Sequence, residues 1–340
     1  MRPLRMSVAG AVALLALGTT IAAAAPSAAN GGDVQILGKG VPTPTSFAST
    51  GRTTFVGSAG SDPEGAPKAG GVYVITRSGA KRVPGSPNAV NGLAWSDGTL
   101  YGTGGAGYGK KGSTIWAWTG WNGTRFTSAK RIYTVPKATT GLNGIAVGPD
   151  GRLYAGISLS LAKKADHAAG TGPYANDVIS LTTAGRDVKV VATGLRNPWQ
   201  LAFGEGEEAP YVTVLGQENL GRSQPPDYVV TAAAGDRYGF PKCNWSDEAA
   251  CAGFTKPFAL LPAHSSPMGV GVIGDQVYVA LFNGLKGKPE VVTIPSAGGE
   301  PKSFIAGFAA PIIALGTANG GVDVGDATGT IYRVKVAAAS

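Results

Sequence analysis

Six times along the chain, a short apolar stretch runs into a turn of Gly, Asp or Asn and out into a second stretch rich in Val, Tyr or Leu. The six are "SFASTGRTTFVGS" (46–58), "GLAWSDGTLYGTG" (92–104), "GIAVGPDGRLYAGI" (144–157), "QLAFGEGEEAPYVTVLG" (200–216), "GVGVIGDQVYVALF" (269–282) and "PIIALGTANGGVDVG" (311–325). Turns such as Asp97-Gly98 and Asp150-Gly151 allow the positive φ angles that a tight hairpin needs. The second residue of every segment is apolar: Phe47, Leu93, Ile145, Leu201, Val270 and Ile312. Between these hairpins lies a second strand pair, as in "GGVYVITRSGAKRVPG" and "NDVISLTTAGRDVKVVATG". Four strands per unit, with almost no helical periodicity, predict an all-β, six-bladed β-propeller. The sixth unit ends after "GTIYRVKV" without a fourth strand, and "DVQILGK" (33–39) is a spare strand of the right length. Pairing it into the last blade closes the ring and leaves no long open edge.

Blade order sorts residues onto rims. With the strands of a blade called inner, second, third and outer, the inner-to-second and third-to-outer turns share one rim, here the turn rim. The second-to-third and blade-to-blade connections share the other, the loop rim. Long connections are expected there at 57–70, 102–112, 157–175, 216–227 and 238–268, and binding residues of a rigid scaffold gather on such loops. Arg196 and Asn197, side by side in "GLRNPWQLAFGEG", are a poor start for a buried strand. Their place in a blade-to-blade loop predicts that they face the mouth of the central channel.

The first residues read differently. Arg2 and Arg5, the apolar run Val8 to Leu17 and the small residues of "TTIAAAAPSA" have the layout of a secretory signal peptide, and the run is too short to span a bilayer. The division expected is a signal peptide over 1–24 and a single propeller domain over 25–340, exported and monomeric, with no membrane span. A formal charge of +8 is spread out, with no basic run longer than two residues. Nucleic-acid faces cluster their cations, so no nucleic-acid partner is expected. Only two cysteines occur, Cys243 and Cys251, both in "PKCNWSDEAACAGF". In an oxidising compartment so close a pair is expected to form a disulfide; a metal site lacks further soft ligands nearby.

Four further stretches carry a resemblance. "ATGLRNPWQLAF" (192–203), "QPPDYV" (224–229), "GDRYGFPKC" (235–243) and "CAGF…LPAHSSPMGVGV" (251–272) follow one another as in the secreted glucose/sorbosone dehydrogenases, six-bladed propellers that oxidise sugars with pyrroloquinoline quinone (PQQ) and calcium. The match is dense from Asn176 to Phe308 and generic over the first two blades. The resemblance implies that Arg196, Asn197 and Lys286 meet the quinone. It implies that the backbone carbonyls of Gly216 and Gln217 help hold calcium, since carbonyl oxygens suit a hard cation, and that His264 matches a family histidine placed for packing or a substrate contact. Trp199, in the Arg-Asn loop, is itself well placed for a ligand. The chain also departs from the family. Quinone-dependent oxidation needs a base for the hydroxyl proton, and "PKATTGLNGIAVGPDG" has no histidine where the family places one; Thr140 lies nearest. "IAGFAAPIIAL" lacks the family's arginines. His167, in "AKKADHAAGTGPY", is the candidate relocated base.

Two rival functions stand beside sugar oxidation. One is a non-catalytic propeller that binds a small sugar or an envelope carbohydrate. The other is a metal-dependent lactonase of gluconolactonase type, resting on Asn91 and Asn143, which occupy equivalent places before inner strands; capping of the strand entrance is their plainer role. Trp116, Trp118 and Trp121 are candidate sugar platforms, but the spacing of the first two puts them on one sheet face, where a propeller packs the next blade.

Overall fold

The structure, a computed structural model, describes residues 25–61, 68–104, 112–159, 170–218, 220 and 224–336. The expected signal peptide and His167 lie outside the described residues, among which there is no helix. Six antiparallel sheets follow one another along the chain. Their inner strands are Pro44–Ser49, Val90–Ser96, Leu142–Val147, Pro198–Ala202, Pro267–Ile273 and Ile312–Ala318. This is a six-bladed β-propeller. The strand Val34–Gly38 is the outer strand of the last blade, with Val34 opposite Val334. Ser27–Ala28 adds a fifth strand to blade 5, opposite Ala306 and Ile305.

Turn chemistry drives the hairpins. Asp97 and Gly98 have φ of 47° and 75°, and Asn319 and Gly320 of 53° and 66°, the double left-handed step of the tightest hairpin turns. Every inner strand also carries a bulge one or two residues inside the loop rim, as between Pro44 and Ser46 or between Leu142 and Ile145. A bulge re-aims the side chains beside it. Its regularity fixes the equivalences between blades. Phe47 lies opposite Val56, Val270 opposite Val279 and Leu315 opposite Val324, each three residues beyond the first pair of its strand. Leu315, not Ile312, is therefore the sixth-blade counterpart of Phe47. The apolar run of that segment is long enough to be read in either register from sequence.

A second correction concerns 238–268. The outer strand of blade 4, Ala259–Leu261, divides it. Only 262–266 joins blade to blade; 232–258 links the third strand to the outer one and leaves from the turn rim. It then climbs the edge of blade 3, where Gly235 N donates to Val191 O at 2.8 Å and Phe240 N to Gly194 O at 3.0 Å. Asn244 thereby reaches the loop rim after all. The disulfide Cys243–Cys251, with Cα atoms 5.1 Å apart, staples this excursion, buried with Tyr238 and Trp245.

Apolar clusters fill the wedges between blades. Trp118 is fully buried beside Phe55 and Leu93, and its ring stacks on Trp116 with centroids 6.0 Å apart. Trp121 meets Phe55 edge-on at 4.9 Å. The tryptophan run thus packs blade 2 against blade 1.

Candidate functional site

At the loop rim, the bulge residue of each inner strand is Thr45, Asn91, Asn143, Trp199, Met268 or Ile313. In the first three blades it stitches to the next blade. Thr45 Oγ1 donates to Val90 O at 2.7 Å, Asn91 Nδ2 to Leu142 O at 2.8 Å and Asn143 Nδ2 to Pro198 O at 2.7 Å. In the last three blades it is apolar, and Trp199, Met268 and Ile313 form one buried cluster with Ala327. One residue further in, the ring holds small residues and one large one, Gln200. Its Nε2 crosses to Thr45 O at 3.1 Å and Asn91 O at 2.8 Å. Such an approach needs bare backbone beside it: a Cβ on Gly144 would stand 2.5 Å from Gln200 Oε1. Gln200 and the apolar cluster together cap the channel beneath the loop rim.

Arg196 and Asn197 sit just outside that cap, both buried. Arg196 Nη1 donates to Gly216 O, and to Leu215 O at 3.4 Å. Asn197 Oδ1 accepts from Asn143 Nδ2 at 3.0 Å and from Leu159 N at 3.3 Å. The pair cross-ties the loops of blades 3 and 4, which explains a polar step at the head of a buried strand: satisfied backbone groups there outweigh the cost of burying the side chains.

Asp227, which sequence reasoning passed over, organises the next loop. Its carboxylate accepts from Gly216 N at 2.6 Å, Ser266 N at 2.7 Å and Ser265 Oγ at 3.3 Å. Burial pushes its pKa up, against the pull of those hydrogen bonds. The loop it grips is bent through left-handed residues, His264 at φ 62° and Ser266 at φ 52°, and His264 is held out into solvent. Strained non-glycine residues persist where the surroundings over-determine them. The signal for Asp227 was its apolar context, "PPDYVV". Asp177, also missed, has its carboxyl raised to about 6 by burial.

The structure brings together Arg196, Asn197, Trp199, Gly216 and Gln217, and links His264 to them through Asp227. Lys286 is exposed on the second-to-third loop of blade 5, with no hydrogen bond or ion pair to the others among the described residues. Calcium fits this set poorly. It takes six to eight oxygens, yet of the two backbone carbonyls expected to hold it, that of Gly216 already receives a guanidinium. No group of three or more His, Cys, Asp or Glu side chains gathers among the described residues. PQQ carries three carboxylates, and the cation nearest the expected place, Arg196, is 2% exposed and turned to backbone carbonyls.

No protein-family model matches the chain, and no curated protein matches its sequence. Solved structures do match its fold. A PQQ-bound aldose sugar dehydrogenase from Streptomyces coelicolor superposes with a TM-score of 0.67 at 20% identity, covering 92% of this chain and 99% of that one. A Trichoderma reesei structure of Carbohydrate-Active Enzymes Family AA12 gives 0.72 at 13% identity, covering 94% and 100%. A putative oxidoreductase (glucose dehydrogenase) from Thermus thermophilus gives 0.64 at 15% identity, covering 89% and 100%. The chain shares, around the whole ring, the six-bladed β-propeller fold of these aldose and glucose dehydrogenases.

Proposed function

We propose that this protein is a sugar-dehydrogenase-like propeller that recognises a carbohydrate at its loop rim without quinone-dependent oxidation. The observation that carries the reading is the hydrogen bond from Arg196 Nη1 to the Gly216 carbonyl. A guanidinium seated on that oxygen repels a second cation, and a cation committed to backbone is withdrawn from a quinone carboxylate. What remains at the mouth suits hydroxyl-bearing ligands: the exposed imidazole of His264, the amide of Asn283 beside it and the amine of Lys286. Export is part of the proposal, resting on the leader-like residues 1–24 and on a disulfide that belongs in an oxidising compartment.

Titration of the purified protein with PQQ and calcium, followed by intrinsic fluorescence, tests this reading together with retention on a glycan array. Glycan retention lost in His264→Ala, with no quinone uptake and no dye reduction on a panel of aldoses, is the expected outcome. Saturable quinone uptake with aldose-dependent dye reduction overturns it. That result favours the second reading, an aldose oxidoreductase using PQQ with His167 as base, which is supported by the near-complete coverage of a PQQ-bound propeller. In the lactonase reading the metal would sit on Asn91 Oδ1 and Asn143 Oδ1, which are buried and accept no hydrogen bond while the amide nitrogens donate to the neighbouring blade. No group of three or more His, Cys, Asp or Glu side chains accompanies them among the described residues.

A further inference from the structure

The central channel, capped below the loop rim, opens at the turn rim. An outer chamber of about 420 Å³ leads into an inner one of about 140 Å³. Phe47, Leu93, Ile145, Leu201, Val270 and Leu315 stand around the inner chamber, but each side chain belongs to a different apolar cluster in the wedges between blades. What these residues turn to the axis is backbone. The turns Asp97-Gly98, Gly274-Asp275 and Asn319-Gly320 make Ser96 and Thr99, Ile273 and Gln276, and Ala318 and Gly321 the closing pairs of their hairpins. Such a pair exchanges hydrogen bonds, and alternate residues before it point N–H and C=O away from the partner strand. Leu93, Trp95, Val270, Leu315 and Thr317 are among those residues. Thr50 N to Thr53 O and Gly148 N to Arg152 O set the same phase in blades 1 and 3. An inner strand has no neighbour on its other side, so these peptide groups line the channel with donors and acceptors in turn.

No charged residue lines either chamber. The side chains add two neutral groups. Thr317 stands in both chambers, and its hydroxyl has no hydrogen-bond partner among the described residues. Gln200, 6% exposed, forms the inner floor; its Nε2 is taken up by Thr45 O and Asn91 O, and its Oε1 receives no donor among the described residues. Carboxylates stay outside, on the inner-to-second turns around the mouth. Asp97, Glu205, Glu208 and Asp275 face solvent there, while Asp150 and Glu207 accept tyrosine hydroxyls at 3.0 Å.

We infer that the channel binds a neutral linear polyol, entering along the axis from the turn rim with its far end on Gln200. Each hydroxyl both donates and accepts, which matches a wall of peptide N–H and C=O groups and needs no charge. An ion would leave its hydration for a lining that holds no counter-charge, and an anion would also have to pass the acidic turns. A hydrocarbon chain would leave the peptide groups unpaired. A linear molecule reaches through both chambers as the channel narrows. The site is at the opposite end of the channel from the carbohydrate rim and does not depend on it.

Equilibrium dialysis of the intact protein against radiolabelled mannitol tests the inference. Two competitors are read by their power to displace it: 1,6-hexanediol, a chain with few hydroxyls, and gluconate, a charged chain. The expected result is saturable mannitol binding, with either competitor at least tenfold weaker. Thr317→Val, which removes one hydroxyl and keeps the shape, is expected to weaken mannitol binding at least threefold. Thr317→Phe, which fills the junction of the chambers, is expected to weaken it at least tenfold. Absence of saturable binding overturns the inference, as does equal displacement by hexanediol, or undiminished binding in a Thr317→Phe protein that melts like the parent. Mannitol binding lost in His264→Ala would place the polyol at the loop rim and overturn it too. Should Thr317→Phe fail to fold, Thr317→Val decides: unchanged affinity overturns the inference.

Discussion

The two ends of the central channel are built from the same six strands and differ in almost every other respect. At the loop rim the bulge positions face inward. Three of them donate hydrogen bonds to the next blade and three pack as an apolar cluster, with Gln200 laid across the middle. Three residues along each strand the ring is wholly apolar and stands open. The closed end is where polar side chains satisfy backbone; at the open end no side chain of the described residues fills the centre. A propeller can therefore keep its ring intact while changing what either mouth does, because closure and opening depend on separate layers of one strand.

The sharpest way to break the closed end is Trp199→Ala. Removing an indole from that buried cluster is expected to cost about 3–5 kcal/mol in urea unfolding; a loss below about 1 kcal/mol would mean that the cluster is not what seals the channel. Asn143→Leu comes next. It removes from Pro198 O and Asn197 Oδ1 the donor they share, while Asn197 Oδ1 keeps Leu159 N, and about 1–2 kcal/mol is expected, read from the same denaturant midpoints.

A smaller effect depends on pH. The folded protein keeps the Asp177 proton up to about pH 6, whereas an unfolded chain releases it near pH 4. Protons are then bound more by the folded state across that window, so this residue's contribution to stability is full below it and declines as pH rises through it. The difference between the parent and Asp177→Asn, measured by chemical denaturation from pH 4 to 7, is expected to show that decline; a flat difference would refute the burial of this carboxyl. Least of all, Asp97→Asn at the open end is expected to shift stability by no more than about 0.5 kcal/mol. A larger loss in thermal melting would show that the acidic turns are structural, and the contrast between the two ends would weaken.

Much of the ring was legible in the chain. Hairpin turns such as Asp97-Gly98 and the alternation around them are local signals, decided by φ angles and by which face of a strand meets water, so six blades and the pairing of residues 33–39 follow from short windows. The blade-4 excursion was misread because its outer strand, Ala259–Leu261, is three residues long and only its partner strand makes it visible. Leu315 was misaligned for a related reason: in "PIIALG" every candidate is apolar, and only the bulge selects the register.

The site was less legible. Arg196 and Asn197 stood out as polar residues before a strand, yet their partners are carbonyls about 20 positions on and, on another blade, Leu159 N and the Asn143 side chain, and no sequence spacing encodes which oxygen a guanidinium will meet. Asp227 escaped notice because a buried carboxylate and an exposed one share the same letter. Which mouth is sealed depends on Gln200 reaching carbonyls 155 and 109 residues away. Local conformational preference wrote the blades into the chain; closing them into a ring chose which side chains face each other across the axis, since those distances exist only once the last blade meets the first.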